Sequence, residues 1–410
     1  MQNQPTEYVI LGNGVAGTNA AKNIRKKDPL SGIKIFSQDC YPFYSRPRLP
    51  EFLAGEVAAE DILVYNYEWY EKNNIRLYLN CTVKNVDPKN QKITLADKSV
   101  FTYGKLLFAT GSSCVLPPIE GIQTTDGVFT LRTIDDVSTI IKRAKGAKAA
   151  TIIGGGLLGL EAGNGLRKTG LSVTVIELFD RLLPRQLDTD GASILQKQLE
   201  GMGFKFFLGV KSDLIKNDGN GETVNLNNGT VVKSDIILVS AGIKPNTALA
   251  QSIAVTVNKG IVVNDFMETN LPNIYAAGDV AEHKGRIYGI WPASQRQGVV
   301  AGINMAGGKE AYTGTVPANS LKVAGIHLTS AGDVFTDDKT VEQIIVKNTD
   351  TYVYKKLLIK EGRIIGAIFL GDTKNVQEIC QLLEKKADVS SFKKKLLEPD
   401  FDIEKFVNMP

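Results

Sequence analysis

Cysteine and histidine are both scarce in this chain of 410 residues, which has four cysteines and two histidines. No two cysteines share the close spacing of zinc or iron–sulfur ligands, so we expect no metal centre. General acid–base catalysis at neutral pH has few candidates, because histidine is the side chain that ordinarily titrates there. The residues concerned are Cys40, Cys81, Cys114, Cys380, His283 and His327.

Long apolar runs and a strong net charge are also absent. No stretch approaches the roughly 18 apolar residues of a membrane helix, and residues 1–7 lack the basic start of a signal peptide. The formal net charge of +4 is too small to indicate nucleic-acid binding, and a lysine run such as 393–395 is typical of a solvated face. The composition predicts a cytoplasmic protein that binds neither membranes nor nucleic acids.

A glycine-rich pattern typical of dinucleotide binding occurs twice. GNGVAG at 12–17 follows an apolar run at 8–11, and GGGLLG at 154–159 follows an apolar run at 150–153. Each run predicts a buried parallel strand, and the residues after each glycine set predict a helix. The first two glycines permit a tight turn and the approach of a pyrophosphate, and the third permits close helix packing. Two copies predict two dinucleotides on one chain.

The two copies differ at the end of their second strands, where an acid normally binds the adenosine ribose. In the second copy Glu177 stands there, which favours NADH over NADPH. The nearby Arg181 and Arg185 leave NADPH as an alternative, because an arginine can bind its 2′-phosphate. In the first copy the strand leads to Ser37 and Gln38, with Asp39 after them. The expected acid is therefore absent from the first copy or displaced by two residues.

Small residues also end three later strands. Ala109-Thr110-Gly111 follows a strand that belongs with the first copy, and Ala241-Gly242 follows one that belongs with the second. Gly278-Asp279 ends a third strand, and an acid there can hydrogen-bond a ribityl chain. The order of these segments is a repeat at the level of whole domains.

In this order GNGVAG, ATG, GGGLLGLE, SAG and YAAGDV resemble the flavoprotein family that contains glutathione reductase, NADH peroxidase and rubredoxin reductase. The resemblance covers residues 8 to about 310, and YSRPRL at 44–49 resembles the NADH–rubredoxin reductases and the flavin domains of assimilatory nitrite reductases. It implies tightly bound FAD on the first Rossmann unit and NADH on the second. It also implies that Arg46 lies close to the isoalloxazine and that Glu161 faces the nicotinamide and the flavin.

The cysteines depart from the pattern of that family. Many members use a CxxxxC or CxxC disulfide, or a single cysteine after a serine, and here Arg46 takes that last position. The sequence thus argues against disulfide reduction and against peroxide reduction through a sulfenic acid. Two alternatives remain: Arg46 as an Arg-Pro turn residue contacting a carboxylate, and Glu161 as a complement to a helix dipole.

We predict Arg46 and Glu161 as the catalytic residues. The predicted cofactor-binding residues are Gly12, Asn13, Gly14, Val15, Ala16, Gly17, Ser37, Gln38, Asp39, Arg46, Pro47, Val83, Ala109, Thr110, Gly111, Gly154, Gly156, Leu157, Leu158, Gly159, Glu161, Glu177, Ala241, Gly242, Gly278, Asp279, Trp291 and Lys322.

The predicted fold class is α/β, with two Rossmann-like dinucleotide-binding domains and a small α+β C-terminal domain. We expect the FAD domain at 1–113 and 247–312, with the NAD(H) domain inserted at 114–246 and the C-terminal domain at 313–410. In the last part, apolar alternation around the turn Lys360-Glu361-Gly362 predicts a hairpin, and apolar spacing from Asn375 to Lys386 predicts a helix.

The function expected from these features is NADH-dependent electron transfer through FAD to a small redox protein. Rubredoxin is the preferred acceptor, and an acidic carrier of this type, or a flavodoxin, suits the basic C-terminal region. The alternatives are an electron-transfer subunit serving a nitrite reductase partner, an NADH oxidase using oxygen, and a non-enzymatic flavin redox sensor. No motif in the sequence identifies the electron acceptor.

Overall fold

The structure is a computed structural model that describes residues 6–219, 221–315, 318–398 and 400–407, with backbone alone at 318–323. The strands are β1 (Tyr8–Leu11), β2 (Ile33–Phe36), β3 (Ile75–Tyr78), β4 (Val83–Asp87), β5 (Lys92–Leu95), β6 (Val100–Thr102), β7 (Lys105–Phe108), β8 (Ser112–Cys114), β9 (Val128–Thr130), β10 (Ala149–Ile153), β11 (Ser172–Glu177), β12 (Lys205–Leu208), β13 (Ser212–Asn217), β14 (Glu222–Leu226), β15 (Val231–Ser234), β16 (Ile236–Val239), β17 (Ile243–Pro245), β18 (Ile261–Val263), β19 (Ile274–Ala276), β20 (Ala281–His283), β21 (Ala318–Val323), β22 (Ile326–Gly332), β23 (Glu342–Asn348), β24 (Val353–Lys360) and β25 (Arg363–Leu370).

The α-helices are α1 (Val15–Lys27), α2 (Leu49–Leu53), α3 (Tyr67–Lys72), α4 (Ile134–Ala144), α5 (Leu157–Lys168), α6 (Thr189–Gly201), α7 (Ala248–Gln251), α8 (Trp291–Met305), α9 (Val376–Lys385) and α10 (Glu404–Val407). Short 3₁₀ turns occur at Arg46–Arg48, Glu60–Ile62 and Lys393–Lys395. Within the described ranges, no helix has the length and apolar character needed to cross a membrane.

The chain forms two compact units. The first consists of Met1–Leu49, Val57–Cys114 and Ile243–Thr315. Its main sheet has the strand order β19-β7-β1-β2-β3 and is parallel throughout. All four residues of β1 are buried, as expected of a strand covered on both faces. The small antiparallel sheet β4-β5-β6 completes this Rossmann-like unit together with the strand pairs β8-β17 and β18-β20.

The second unit consists of Pro50–Glu56, Val115–Gly242 and Val316–Pro410. Its parallel sheet has the order β12-β11-β10-β16-β9, which places β10 where β1 stands in the first unit. An antiparallel sheet, β21-β22-β25-β24-β23, packs its buried side against α9. The predicted α/β class, with two Rossmann-like parts and a C-terminal α+β part, is confirmed. The three domain boundaries stay a prediction.

The C-terminal secondary structure agrees with the sequence pattern. The predicted hairpin is the antiparallel pair β24 and β25, whose turn contains Glu361 and Gly362. The predicted helix at 375–386 is α9, which begins at Val376 and ends at Lys385. The apolar spacing identified α9 because one face of the helix is buried. The strands β24 and β25 are buried at consecutive positions, so it was their apolar content and the turn between them that identified the hairpin.

In the first unit, α1 and α8 approach each other so closely that glycine is needed at the contact. A Cβ atom on Gly298 would lie 2.3 Å from the Ala16 carbonyl oxygen, and one on Gly302 would lie 2.4 Å from the Ala20 carbonyl oxygen. Both distances are far below van der Waals contact, and the obstructing atoms are backbone. The helix that begins at the first glycine loop is therefore fixed against α8.

We predict that Gly302→Ala lowers the free energy of unfolding by about 2 kcal/mol, because an added methyl group overpacks this contact. The matched control is Gly201→Ala in α6, where a Cβ would meet no atom within 4 Å. That variant should be neutral or slightly stabilised, because alanine is the better helix former. Urea unfolding of the flavin-bound proteins measures both changes, and equal stabilities of the two variants would contradict the packing argument.

Candidate functional site

In the first glycine loop, the fold requires glycine at two positions but not at a third. Gly12 has a φ of +115°, and a Cβ there would lie 2.1 Å from the Ala109 carbonyl oxygen. A Cβ on Gly17 would lie 2.0 Å from the Gly12 carbonyl oxygen. Gly14, in contrast, has a φ of −88° and no atom within 4 Å of its Cβ position. The fold leaves open space at Gly14, next to the positive start of α1.

A buried amide donor lies beside this open space. The Asn13 side chain is buried, and its Oδ1 accepts a hydrogen bond from the Tyr70 hydroxyl at 2.9 Å. That hydroxyl also accepts the Phe43 N–H at 3.1 Å, and burial raises the pKa of Tyr70 to about 12, so it remains a donor. Among the described residues, nothing accepts a hydrogen bond from the Asn13 Nδ2. A phosphate oxygen is the acceptor that suits a donor at a helix start.

Asp279 is held in place by two serines. The Ser112 hydroxyl donates to its Oδ2 at 2.9 Å, and the Ser294 hydroxyl donates to its Oδ1 at 3.2 Å. The preceding Gly278 has a φ of +87°, and a Cβ there would lie 2.9 Å from the Ala16 Cβ. Gly278 and Asp279 are thus brought against the start of α1, where the sequence predicted a ribityl contact.

Arg46 and Asp39 form an ion pair. Their Nη2 and Oδ2 atoms are 3.3 Å apart, and the Tyr44 hydroxyl donates to the same oxygen at 3.3 Å. The Arg46 guanidinium also lies 5.8 Å from the centre of the Tyr44 ring, and its Nη1 is 4.0 Å from the Cβ position of Gly111. Arg46 and Tyr44 both engage the Oδ2 of Asp39, and a ribose contact of Asp39 stays a prediction. Arg46 does contact a carboxylate, as the turn alternative expects, and it is also close to the predicted Gly111 segment.

The remaining residues predicted for the first unit are more dispersed. Trp291 begins α8 and stacks on Phe43 with ring centres 5.6 Å apart. The Ser37 hydroxyl accepts the Asp39 N–H at 3.2 Å, whereas Gln38 and Pro47 are exposed. Val83 begins β4 and packs against the core of the unit. The Lys322 side chain lies outside the described residues.

The second glycine loop repeats the geometry of the first. Gly154 has a φ of +115°, and a Cβ there would lie 2.3 Å from the Ser240 carbonyl oxygen. A Cβ on Gly159 would lie 2.3 Å from the Gly154 carbonyl oxygen. Gly156 has a φ of −78° and no atom within 4 Å of its Cβ position. Ala241 and Gly242 follow β16 and are exposed beyond this turn. The second unit therefore also leaves open space at a helix start.

Glu177 ends β11 with its carboxylate turned into the glycine loop. Its Oε2 accepts the Gly155 N–H at 2.6 Å, and its Oε1 accepts the Phe179 N–H at 2.9 Å. The side chain is 7% exposed. Each carboxylate oxygen has more than one acceptor position, so both are able to accept a further hydroxyl. The predicted acid is thus fixed at the loop whose open glycine is Gly156.

Glu161 is the fifth residue of α5, just after the first turn where the sequence placed it, on the helix face that contacts α2. One turn later on that face, a Cβ on Gly165 would lie 3.0 Å from the Pro50 carbonyl oxygen. Lys168 continues the face and forms an ion pair with Glu56. Burial, together with the negative charge of Glu51, raises the pKa of Glu161 from 4.5 to about 7. Glu161 is therefore partly protonated at neutral pH, beyond what a simple dipole complement requires.

Sequence reasoning missed four residues that orient the predicted ones. Tyr44 and Tyr70 hold Asp39 and Asn13, and Ser112 and Ser294 hold Asp279. Only Ser112 carries a sequence signal, because it follows the Ala109-Thr110-Gly111 turn directly. Tyr44 lies five residues after Asp39, but no pattern in the chain marks its hydroxyl as the partner of that carboxylate. Tyr70 and Ser294 lie farther along the chain from their partners, and no spacing links them.

Comparison with known proteins identifies the family. Residues 6–298 match the model of the pyridine nucleotide-disulphide oxidoreductases. The chain belongs to that family. Residues 317–387 match the rubredoxin NAD+ reductase C-terminal domain. The predicted family, the flavoprotein oxidoreductase class and the cofactors FAD and NADH are therefore confirmed.

Three similar proteins illustrate the relationship. The assimilatory nitrate reductase electron transfer subunit of Bacillus subtilis (strain 168) is 37% identical over 404 residues, which are 98% of this chain and 52% of that protein. The NADH-rubredoxin oxidoreductase of Clostridium acetobutylicum is 33% identical over 90% of this chain and 91% of its own length. The crystal structure of NADH:rubredoxin oxidoreductase from Clostridium acetobutylicum superposes with a TM-score of 0.80 at 31% identity, covering 96% of this chain and 99% of that one.

The chain spans about half the length of two Bacillus subtilis relatives, the electron transfer subunit and a nitrite reductase [NAD(P)H]. It spans nearly the whole length of the rubredoxin oxidoreductase. The family is thus settled by the comparison, while the electron acceptor differs among the relatives.

The two open glycines generate a paired prediction. Gly14→Val should fold but lose FAD, because its side chain enters the space left for the first dinucleotide. Gly156→Val should keep FAD and lose NADH binding for the corresponding reason. Flavin absorbance of the purified proteins and calorimetric titration with NADH measure the two effects. Loss of FAD from Gly156→Val, with FAD retained in Gly14→Val, would show that the two units are assigned in the wrong order.

Glu161 generates a prediction about pH. Its pKa is higher in the folded than in the unfolded chain, so its stabilising contribution is complete below about pH 4.5 and is lost as the pH rises through 7. At 1.36 kcal/mol per unit, the loss is at most about 3 kcal/mol. Urea unfolding at pH 5 and pH 8 should show a smaller pH dependence for Glu161→Gln than for the wild type.

The control for that measurement is Glu200→Gln on the exposed face of α6. It should follow the wild type at both pH values. Glu51→Gln removes the neighbouring negative charge, so the pKa of Glu161 should fall. The loss of stability should then occur at a lower pH than in the wild type. An unchanged pH profile in Glu161→Gln would remove Glu161 as the titrating group.

Proposed function

We propose that this protein is an NADH-dependent reductase that passes electrons through FAD to a small redox protein, with rubredoxin as the preferred acceptor. The observation that carries the proposal is the pair of open glycines, Gly14 and Gly156, each at the start of a Rossmann helix. The fold does not need glycine at either place, whereas a bound pyrophosphate does. One chain thus offers two dinucleotide cradles, as a two-cofactor reductase requires.

The first unit supplies the groups that suit FAD. The start of α1 and the Asn13 amide would bind the pyrophosphate, and Asp279, oriented by Ser112 and Ser294, would bind the ribityl hydroxyls. Arg46 would place a permanent positive charge near the ring system, because a guanidinium does not lose its proton in proteins. Bound FAD supplies the chemistry, since it accepts a hydride and releases electrons singly.

The second unit supplies the groups that suit NADH. The start of α5 would bind its pyrophosphate, and Glu177 would accept hydrogen bonds from the adenosine ribose. The same carboxylate repels a 2′-phosphate, which supports NADH over NADPH. Glu161, near the start of α5, is partly neutral at pH 7 and would orient the nicotinamide without a full negative charge.

The four cysteines support a mechanism without a redox thiol. Burial raises the pKa of the Cys81 and Cys380 thiols, which disfavours the reactive thiolate. No close cysteine spacing compensates, and Arg46 stands where relatives of the peroxidase branch have their cysteine. Electrons would therefore pass from the flavin to the acceptor without a disulfide relay.

Rubredoxin is favoured as acceptor by two similarities. The C-terminal part matches the rubredoxin NAD+ reductase C-terminal domain, and a full-length relative is named NADH-rubredoxin oxidoreductase. The chain also has Lys393–Lys395 in its C-terminal part, and positive charge steers acidic partners. A cytoplasmic location is part of the proposal.

A second candidate is an electron-transfer subunit for nitrate or nitrite reduction. The similarity to the Bacillus subtilis electron transfer subunit covers 98% of this chain. A relative from Methanocaldococcus jannaschii is named NADH oxidase, which keeps direct oxygen reduction as a third candidate. A flavin redox sensor is the non-enzymatic candidate.

One experiment distinguishes these candidates. The holoenzyme is mixed with NADH in a stopped-flow instrument without oxygen, and rubredoxin, flavodoxin, a nitrite reductase partner and oxygen are then offered separately. Flavin bleaching on the timescale of turnover, followed by rapid rubredoxin reduction, supports the proposal. Slow bleaching favours the sensor, and faster electron transfer to oxygen or to the nitrite reductase partner rejects rubredoxin.

Arg46 generates a prediction within this function. Arg46→Met keeps much of the side-chain volume and removes the charge, so the midpoint potential of the flavin should fall and hydride uptake should slow. A loss of about 1.4 kcal/mol of preferential stabilisation of the reduced ring corresponds to about 30 mV for two electrons. Spectroelectrochemical titration measures the potential.

Two controls separate charge from loop structure. Arg46→Lys keeps the charge and should retain most of the potential, whereas Asp39→Asn removes the opposing charge and should raise the potential. If Arg46→Met leaves both the potential and the rate of reduction unchanged, Arg46 is only the turn residue that contacts Asp39.

A further inference from the structure

The segment that follows Glu177 folds back on the second glycine loop. We call residues 178–187 the adenosine loop, because in Rossmann units an arginine near the ribose-binding acid accommodates the 2′-phosphate on the adenosine of NADP. The Leu183 N–H donates to the Gly155 carbonyl oxygen at 3.1 Å, and Leu182 and Leu183 are fully buried. Glu177 and the adenosine loop therefore form one structure with the glycine loop.

Arg181 is one of the two arginines of this loop, with Arg185, that the sequence left open as a 2′-phosphate ligand. Its Nε donates to the Leu187 carbonyl oxygen at 3.2 Å, and its Nη2 donates to the Pro184 carbonyl oxygen at 3.4 Å. Its Nη1 pairs with Asp180 at 3.0 Å. All three nitrogens of the guanidinium thus bind the loop's own backbone or side chains.

The C-terminal part of the same unit covers this arginine. The Phe335 ring centre lies 5.9 Å from the Arg181 guanidinium carbon, a distance typical of a cation–π contact. Phe335 is in the segment between β22 and β23, and it is 44% exposed. An aromatic residue from the C-terminal part therefore holds the face of the guanidinium that its hydrogen bonds leave uncovered.

A second contact fixes the far end of the adenosine loop. Asp188 follows the loop and caps α6 by accepting the Gly191 N–H at 3.0 Å. The same carboxylate accepts hydrogen bonds from the Tyr354 hydroxyl at 2.6 Å and from the Lys356 ammonium at 2.8 Å, both on β24. A Cβ on Gly191 would lie 3.0 Å from the Tyr354 ring. The C-terminal part thus contacts Arg181 through Phe335, and through β24 it holds Asp188, the residue that follows the loop.

We propose that the C-terminal part of the chain helps to select the dinucleotide, because Phe335 and the Asp188 contacts keep Arg181 bound within the adenosine loop and away from a 2′-phosphate. Phe335 and Arg181 are positioning residues, and Glu177 is the residue that meets the ribose. The inference rests on the proposed function in assigning NADH to the second unit. It adds that a part of the chain outside the Rossmann fold sets the preference for NADH.

The test compares the adenosine ends of NADH and NADPH as ligands of the oxidised, FAD-bound protein. Calorimetry measures the dissociation constants of ADP-ribose and of 2′-phospho-ADP-ribose, and their ratio reports selection at the adenosine end alone. Phe335→Leu removes the aromatic face but keeps an apolar side chain. The ratio should shift by about two- to fivefold toward the phosphorylated compound, the size expected for loss of one cation–π contact.

Three further variants keep the result interpretable. Phe335→Tyr retains an aromatic face and should restore the wild-type ratio. In Phe335→Leu combined with Arg181→Met, the gain for the phosphorylated compound should disappear, because the released guanidinium is gone. Ile345→Ala, an exposed position of β23, is the surface control and should bind both compounds as the wild type does.

An unchanged ratio in a folded Phe335→Leu protein overturns the inference. If that variant does not fold, Arg181→Met alone tests the inference. If Arg181 already contacts the 2′-phosphate in the wild type, Arg181→Met will selectively weaken binding of the phosphorylated compound. That result also overturns the inference. Steady-state kinetics should show the change in KM for NADH and NADPH with little change in kcat. Failure of NADH to reduce the wild-type flavin would reject the proposed function, whereas the binding ratio tests selection separately.

Discussion

The site geometry depends on one contact that occurs twice, between a glycine after a central strand and a carbonyl oxygen after the neighbouring strand. Gly12 meets the Ala109 carbonyl, and Gly154 meets the Ser240 carbonyl, so closely that no side chain fits. Each contact fixes the turn that begins α1 or α5. Because the turn is fixed by backbone packing, the start of each helix keeps its direction whether or not a dinucleotide is bound.

The sequence predicted this part of the structure well because its causes are local. A buried strand, a glycine turn and a helix follow one another within about twenty residues, and each leaves its own pattern of apolar spacing and small residues. The same holds for the hairpin of β24 and β25 and for α9. The resemblance to known reductases then extended these local patterns to the order of the whole chain.

The side-chain partners could not be predicted in the same way, since they depend on contacts between distant segments. Asp279 meets Ser112, which lies 167 positions away in the chain, and Asn13 meets Tyr70, which lies 57 positions away. The sequence left the ribose acid of the first copy as either absent or displaced to Asp39. In the structure Asp39 contacts Arg46 and Tyr44, which lie seven and five positions away, so this pairing depends on how the local turn folds. The raised pKa of Glu161 likewise depends on burial and on Glu51, neither of which its own helix reveals.

The division of the first unit into three chain segments has a consequence for biosynthesis. Its parallel sheet ends with β19 at residues 274–276, far behind β7 at 105–108, whereas the second parallel sheet is made entirely from residues between 128 and 239. On the ribosome, the second sheet can therefore assemble while the first still lacks an edge strand. At a synthesis rate of about 5–20 residues per second, about 10–30 s pass between the synthesis of β7 and that of its neighbour β19. During that interval its unpaired edge is open to chaperones and to wrong partners.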